Sequence, residues 1–167
     1  EQSEQHLVDI AVNSSKKLVV SSDDLGKIAL WQLGERGVSP ERQLYTLRSD
    51  CTMITSDLAM DASGSVLVAV SSDVVETWDL SAAGSSEWWT HPSEPNWTTA
   101  VAFDPTGSRL AYGSAEGTAV VSDVATGEAV ALLGSLVTLP VGAHGPNPCA
   151  RDLAFSPDGS WIATAAD

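Results

Sequence analysis

Apolar positions in this chain come in short runs separated by turns rich in Gly, Pro, Asp and Ser, and no stretch shows the three-to-four-residue period of an amphipathic helix. Four of the runs share one pattern: Asp9-Ile10-Ala11-Val12-Asn13, Asp57-Leu58-Ala59-Met60-Asp61, Ala100-Val101-Ala102-Phe103-Asp104 and Asp152-Leu153-Ala154-Phe155-Ser156. Their second large residues, Val12, Met60, Phe103 and Phe155, recur at spacings of 48, 43 and 52. Behind three of them stand turn sequences, Asp61-Ala62-Ser63-Gly64, Asp104-Pro105-Thr106-Gly107 and Ser156-Pro157-Asp158-Gly159. In such turns Pro fixes φ and Gly supplies positive φ. The first copy, Asn13-Ser14-Ser15-Lys16, lacks the Gly and stands one residue out of register. After each turn comes a second run, Leu18-Val19-Val20, Val66-Leu67-Val68-Ala69-Val70, Arg109-Leu110-Ala111-Tyr112 and Trp161-Ile162-Ala163-Thr164, so every unit is expected to open with a β-hairpin.

A third run follows in three copies, at Ile28-Ala29-Leu30-Trp31, Val74-Val75-Glu76-Thr77-Trp78 and Thr118-Ala119-Val120-Val121. Fourth-strand candidates are residues 43–47, 87–90 and 128–133. Four short antiparallel strands in a repeating unit predict an all-β fold, a β-propeller built of four-stranded antiparallel blades. The large-Ala-large pattern fits an inner strand buried on both faces, with Ala permitting close approach of one neighbouring blade and the large residues filling toward the other. The count is incomplete, about 3.5 blades: a tail at 1–5, blade 1 at 6–49, blade 2 at 50–95, blade 3 at 96–149 with a long loop at 134–150, and the first two strands of blade 4 at 150–167. An unclosed propeller exposes a blade face, which points to a larger protein. Two copies forming one ring would leave a gap, because the few residues before His6 cannot supply the strands missing after Asp167.

These residues resemble the WD-repeat family, whose unit carries a Ser-Pro-Asp-Gly turn, an acid before the third strand and a Trp-Asp pair ending it. Trp78-Asp79-Leu80 matches in full, Trp31-Gln32-Leu33 keeps the Trp, and Ser122-Asp123-Val124-Ala125-Thr126-Gly127 keeps the Asp and the turn. The turn acids fall at Asp24, Asp73, Glu116 and Asp167. The resemblance implies a hydrogen-bonded blade lock of His, Ser or Thr, Asp and Trp. The matching positions are Ser22, Asp24 and Trp31 in blade 1, Ser71, Asp73 and Trp78 in blade 2, and His91, Ser114 and Glu116 in blade 3. No blade carries the whole set, and His6 and His144 stand at unequal distances from the strands that follow them, so stability is expected to rest mainly on apolar stacking.

Composition then narrows the function. With 8 basic and 22 acidic residues the formal charge is −14, which disfavours nucleic acid as a partner. No apolar window is long enough for a membrane span, and the polar start Glu1-Gln2-Ser3-Glu4-Gln5 does not read as a signal peptide. Cys51 and Cys149 lie far apart, so a reducing, cytoplasmic location is the simpler expectation. The sequence Asn96-Trp97-Thr98 fits a glycosylation sequon, the one feature pointing elsewhere.

Function should reside in the rim connections, since the strands are committed to packing. On one rim lie the connections from each fourth strand to the next first strand, which include residues 91–97 and 134–150; residues 34–42 are expected as an insertion on the opposite rim. Candidate partner-binding residues are Trp97, Pro95, Asn96, His144, Asn147 and Arg151. The alternative for Trp97, and the favoured one, is that it caps its own blade or tucks under its loop, and Trp88 and Trp89 must point to opposite faces of one strand. Asp9, Asp57 and Asp152 recur at one position per blade, which suggests a repeated hydrogen-bonding role, with a ring of carboxylates near the channel as the alternative. His144 and Cys149 have no second pair at zinc-like spacing, and no metal or cofactor is expected. There is no Gly-Xaa-Ser-Xaa-Gly elbow and no phosphate loop, so catalysis is not expected, although some propellers are lactonases or hydrolases. The expected partner is a protein or peptide, together with the rest of the propeller itself, in cis or from another chain. Low Lys and abundant Ala, Gly and Ser look like bacterial members of the family, in which similar repeats act as sensors attached to a signalling or defence effector. A scaffold that senses nothing is the alternative.

Overall fold

The computed structural model of the chain describes residues 6–34, 37–48, 55–71, 74–81, 86–92, 98–114, 118–133 and 150–166; over 37–48 and 86–92, and at 55, 150, 151 and 166, only the backbone is described. Fourteen strands and no helix occur among these residues. Their order is β1 (Leu7–Asn13), β2 (Leu18–Asp23), β3 (Lys27–Gly34), β4 (Gly37–Arg48), β5 (Thr55–Met60), β6 (Val66–Ser71), β7 (Val74–Asp79), β8 (Ser86–Pro92), β9 (Thr98–Phe103), β10 (Arg109–Ser114), β11 (Ala119–Asp123), β12 (Ala129–Leu133), β13 (Ala150–Phe155) and β14 (Ile162–Ala166). They form three four-stranded sheets, each with its strands in sequence order, and one two-stranded sheet, all antiparallel. This is the partial β-propeller expected from the repeats.

The turn between first and second strands is built the same way in every sheet. A side-chain acceptor at its first position, Asn13, Asp61, Asp104 or Ser156, takes up amides or hydroxyls of the turn that follows. Asp61 Oδ1 accepts from Ser65 N at 2.8 Å and Val66 N at 2.7 Å, satisfying donors that the sheet ladder cannot reach. Gly64, Gly107 and Gly159 adopt positive φ near 70°. In the first copy the left-handed residue is Lys17, at φ 54°, one position later in the turn than the glycines. The displaced register seen in the sequence is therefore real, and a non-glycine residue occupies the strained conformation.

Each first strand also carries one extra residue. The ladders skip Val8, Ser56, Thr99 and Arg151, so that Asp9 pairs with Ser22, Asp57 with Val70, Ala100 with Gly113 and Asp152 with Ala165. A β-bulge of this kind sharpens the local twist and leaves amides beside it out of the ladder. At the opposite rim, the insertion expected at 34–42 is largely strand. β4 pairs back as far as Gly37 opposite Gly34, and Pro40 is accommodated because β4 is an edge.

The sheets stack face to face. First strands of consecutive sheets lie against one another, β1 on β5, β5 on β9 and β9 on β13, which places them innermost. Val12, Met60, Phe103 and Phe155 occupy equivalent positions on these strands, opposite Val19, Leu67, Leu110 and Ile162. Three apolar layers result. Ala11, Val20, Ile28 and Leu30 meet Leu58, Leu67, Ala69 and Trp78; Val68, Val70 and Val75 meet Val101, Leu110, Tyr112 and Val120; Ala100, Ala111 and Val121 meet Leu153. On the first strands Ala11 and Ala59 thus face the following blade while Leu58 and Met60 face the preceding one, as the large-Ala-large pattern implies; on the second and third strands Val20, Ile28 and Leu30 also face the following blade. The expectation that every inner strand is buried on both faces fails for β1: Ile10 is 52% and Val12 59% exposed, because among the described residues no sheet lies against that face. At the other end Ala154, Ala163 and Ala165 are exposed for the same reason, and Trp161, in the β13–β14 turn, is 77% exposed.

Candidate functional site

Each first strand runs away from the rim on which the second-to-third turns and the fourth-to-first connections lie, so the bulges and the aspartates next to them sit at that rim, close to the inner edge of the stack. Asp9 faces the second sheet, where its Oδ2 accepts the amide hydrogen of Leu58 at 2.7 Å. Asp57, one sheet further on, accepts the Val101 amide with Oδ2 at 2.8 Å. The recurring aspartate thus reaches across to the next blade and takes up an amide of its first strand, two residues beyond the one the ladder skips. Blade 3 has Ala100 at this position, and there the Leu153 amide is taken by Asp152 of its own strand, at 2.8 Å.

Two carboxylates meet at the first joint. Leu58 N–H is shared between Asp9 Oδ2 and, at 2.9 Å, Asp57 Oδ1. Burial pushes the Asp57 carboxyl up to about 7, and the neighbouring Asp9 adds to the rise, outweighing the amide hydrogen bonds from Val101 and Leu58 that favour the ion. Ser22, paired with Asp9 on the adjacent strand, is 1% exposed, and its hydroxyl has no hydrogen-bond partner among the described residues.

The blade-lock positions are brought together only in part. In blade 1 the Trp31 indole donates to Ser21 Oγ at 2.9 Å, not to Ser22. The turn is held by Asp23, whose Oδ1 accepts from Leu25 N and Lys27 N, while Asp24 Oδ1 takes the His6 amide. Pairing places Asp23, Ser71 and Ser114 at one equivalent position, opposite Leu7, Thr55 and Thr98, so Ser22 stands one residue short of Ser71 and Ser114. In blade 3 Ser114 Oγ lies 2.9 Å from Thr118 Oγ1, and Tyr112 with Ser122 takes the place of a Ser–Trp pair. Trp78 is buried at 3% between blades 1 and 2. Ser71 is buried on β6, and His91 lies on β8 opposite Val75. Asp73, Glu116 and Asp167 lie outside the described residues.

Ser21, Asp23 and Thr118 were not singled out in the sequence. Asp23 carried a signal, since Asp23-Asp24-Leu25-Gly26-Lys27 places an acceptor before a turn glycine; that Ser21 is the residue within reach of Trp31 follows from the pairing of β2 with β3. Of the partner-binding candidates, Trp97, Pro95, Asn96, His144 and Asn147 lie outside the described residues, and Arg151 is the bulge residue of β13. The only ion pair among the described residues joins Arg109 to Asp104 at 3.4 Å, with Arg109 Nη2 reaching Gly159 O of the next blade at 3.1 Å. No group of three or more His, Cys, Asp or Glu among the described residues is placed to hold a metal ion.

A family model described as WD domain, G-beta repeat, matches residues 136–167, a segment that includes β13, β14 and the Ser156-Pro157-Asp158-Gly159 turn. No curated protein matches the chain.

Proposed function

From the premise that the match over the fourth blade supports a WD-repeat family for this chain, and hence a protein-interaction platform in the general sense, we propose a more specific role. The segment is a non-catalytic sensor platform that binds a protein or peptide through one rim, within a larger cytoplasmic protein of bacterial signalling or defence. The observation that carries this reading is the commitment of the sheet faces. Three successive interfaces use them for stacking, which leaves rim connections to recognise something else. The composition that resembles bacterial members supports the setting, and the absence of a recognisable nucleophile–base motif in the sequence supports a binding role over catalysis.

The reading also names a structural partner. The uncovered face of blade 1, with Ile10, Val12 and Trp31, corresponds to the faces that blades 2 and 3 bury against the sheet before them. Its occupant is a further blade presenting the kind of face that blade 1 presents to blade 2, an alanine on the first strand beside larger apolar residues on the second and third, in cis or from another chain.

The test is partner capture by the whole chain followed by substitution on the rim. A sensor yields one specific partner, whose binding is lost in Trp97→Ala or on removal of residues 136–148 while the fold persists by circular dichroism. A scaffold tolerates both changes. Turnover of a small-molecule library by the purified chain would overturn the non-catalytic reading.

A further inference from the structure

The joint between the first two blades contains a feature that stacking does not require. Two carboxyl groups from different sheets, Asp9 on β1 and Asp57 on β5, converge on a single donor, the Leu58 amide, at 2.7 and 2.9 Å. One hydrogen cannot satisfy two ionised carboxylates, and oxygens that approach the same hydrogen are close to each other. The remaining oxygen of Asp57 is committed to the Val101 amide on β9, so the carboxyl group cannot swing out toward water without breaking the tie to blade 3 as well.

Among the described residues no positive group is placed to relieve the pair. β6 (Val66–Ser71) and β9 (Thr98–Phe103) carry no ionisable side chain, β1 and β5 carry only Asp9 and Asp57, and β2 carries only Asp23, which the amides of Leu25 and Lys27 hold at the turn. Two negative groups in a partly buried site without a counter-charge are relieved most simply by one proton shared between them.

We propose that Asp9 and Asp57 form a proton-sharing carboxyl pair that makes the joint between blades 1 and 2 sensitive to pH. With the proton present, the pair is a hydrogen-bonded tie across the joint, parallel to the one from Asp9 to Leu58. When the proton leaves, two carboxylates compete for one amide, and their repulsion parts β1 from β5 at the rim end while the apolar layer of Ala11, Val20, Leu58 and Leu67 keeps the sheets together. The third joint is the built-in contrast: with Ala100 in place of an aspartate, Asp152 has no carboxyl partner there and no such dependence arises.

The experiment is a carbon-13 titration of the aspartate carboxyls in the full chain between pH 4 and 9. The Asp57 signal is identified by its absence in Asp57→Asn, and amide exchange at Leu58 and Leu153 is measured in parallel. The expected result is an Asp57 midpoint near neutrality that moves at least tenfold in acid constant toward the ordinary value in Asp9→Asn. Leu58 exchange, corrected for intrinsic pH dependence, should accelerate several-fold above the midpoint while Leu153 exchange stays level. If Asp57→Asn does not fold, the Asp9→Asn shift of one aspartate signal and the wild-type exchange profile decide the matter. An aspartate spectrum with every midpoint below 5, or a near-neutral midpoint that Asp9→Asn leaves unmoved, overturns the proposal.

Discussion

At the scale of single residues, the same turn is solved with different chemistry in successive copies, and the differences predict stability. Lys17 holds φ 54° where glycine would be at ease, while Gly64 could not be changed the other way, since a Cβ there would lie 2.9 Å from Lys16 Cγ and 3.2 Å from Asn13. Lys17→Gly should therefore stabilise the chain, by about 0.5–1 kcal/mol, seen as a higher urea midpoint with an unchanged slope. Asp104 illustrates an acid working in the ordinary direction. Burial raises its carboxyl, but hydrogen bonds from Arg109 N, Thr106 Oγ1 and Ser108 N and the charge of Arg109 together hold it below the usual carboxylate range. Its folded value is depressed, so its stabilising contribution is complete above about 4 and is lost as the pH falls through the lower folded value. Asp104→Ala should cost about 1–3 kcal/mol at pH 7 and much less near pH 2, a difference readable from urea curves at the two pH values. Asp57 runs the opposite way. With a folded value near 7 against 3.8 unfolded, the folded chain binds more protons through that window. Stability falls as the pH rises through it and levels off above, by less than tenfold in the unfolding constant per pH unit because the site is partly open to water.

At the scale of strands and sheets, energy resides in the layers between blades. Leu67 and Leu110 are fully buried there, and either Leu→Ala change should cost about 2–5 kcal/mol in urea unfolding. Phe103 is only partly buried at the edge of its layer, so Phe103→Ala should fall below the roughly 3–5 kcal/mol typical of a fully buried phenylalanine. The layers were legible in the chain because large-Ala-large is a local pattern, and a local pattern suffices to assign Phe103 and Phe155 to equivalent strands. The lock residues were less so. Ser22 looked equivalent to Ser71 because both precede an acid-containing turn, yet with the same bulge in both first strands the pairing of Leu7 with Asp23 and of Thr55 with Ser71 makes Asp23, one residue on from Ser22, the counterpart of Ser71. The recurring aspartates stand between these cases. Their repetition at Asp9, Asp57 and Asp152 signalled a shared role, but the acceptor's partner, an amide nearly fifty residues on and in another sheet, emerges only when the blades are stacked.

At the scale of the whole molecule, the stack has two unlike ends, and the difference between equivalent residues at the end and in the middle measures what a further blade would contribute. Ile10 and Leu58 hold the same place in their sheets, each following the recurring aspartate on a bulged first strand, but Ile10 is 52% exposed and Leu58 6%. A polar side chain at Leu58 must lose its water inside the layer, whereas at Ile10 it keeps most of it. In the chain alone, Leu58→Asn should therefore cost at least about 3 kcal/mol and Ile10→Asn less than about 1 kcal/mol, as read from paired urea curves. If the blade-1 face is covered by a preceding blade, the comparison changes in a defined way: within the covered assembly Ile10→Asn should become as costly as Leu58→Asn, and its penalty should appear as weaker association or lower stability of the assembly, with the isolated chain unaffected. Equal, small penalties for Ile10→Asn in both settings would mean that whatever joins this chain does so elsewhere than on the face that its own repeats use three times over.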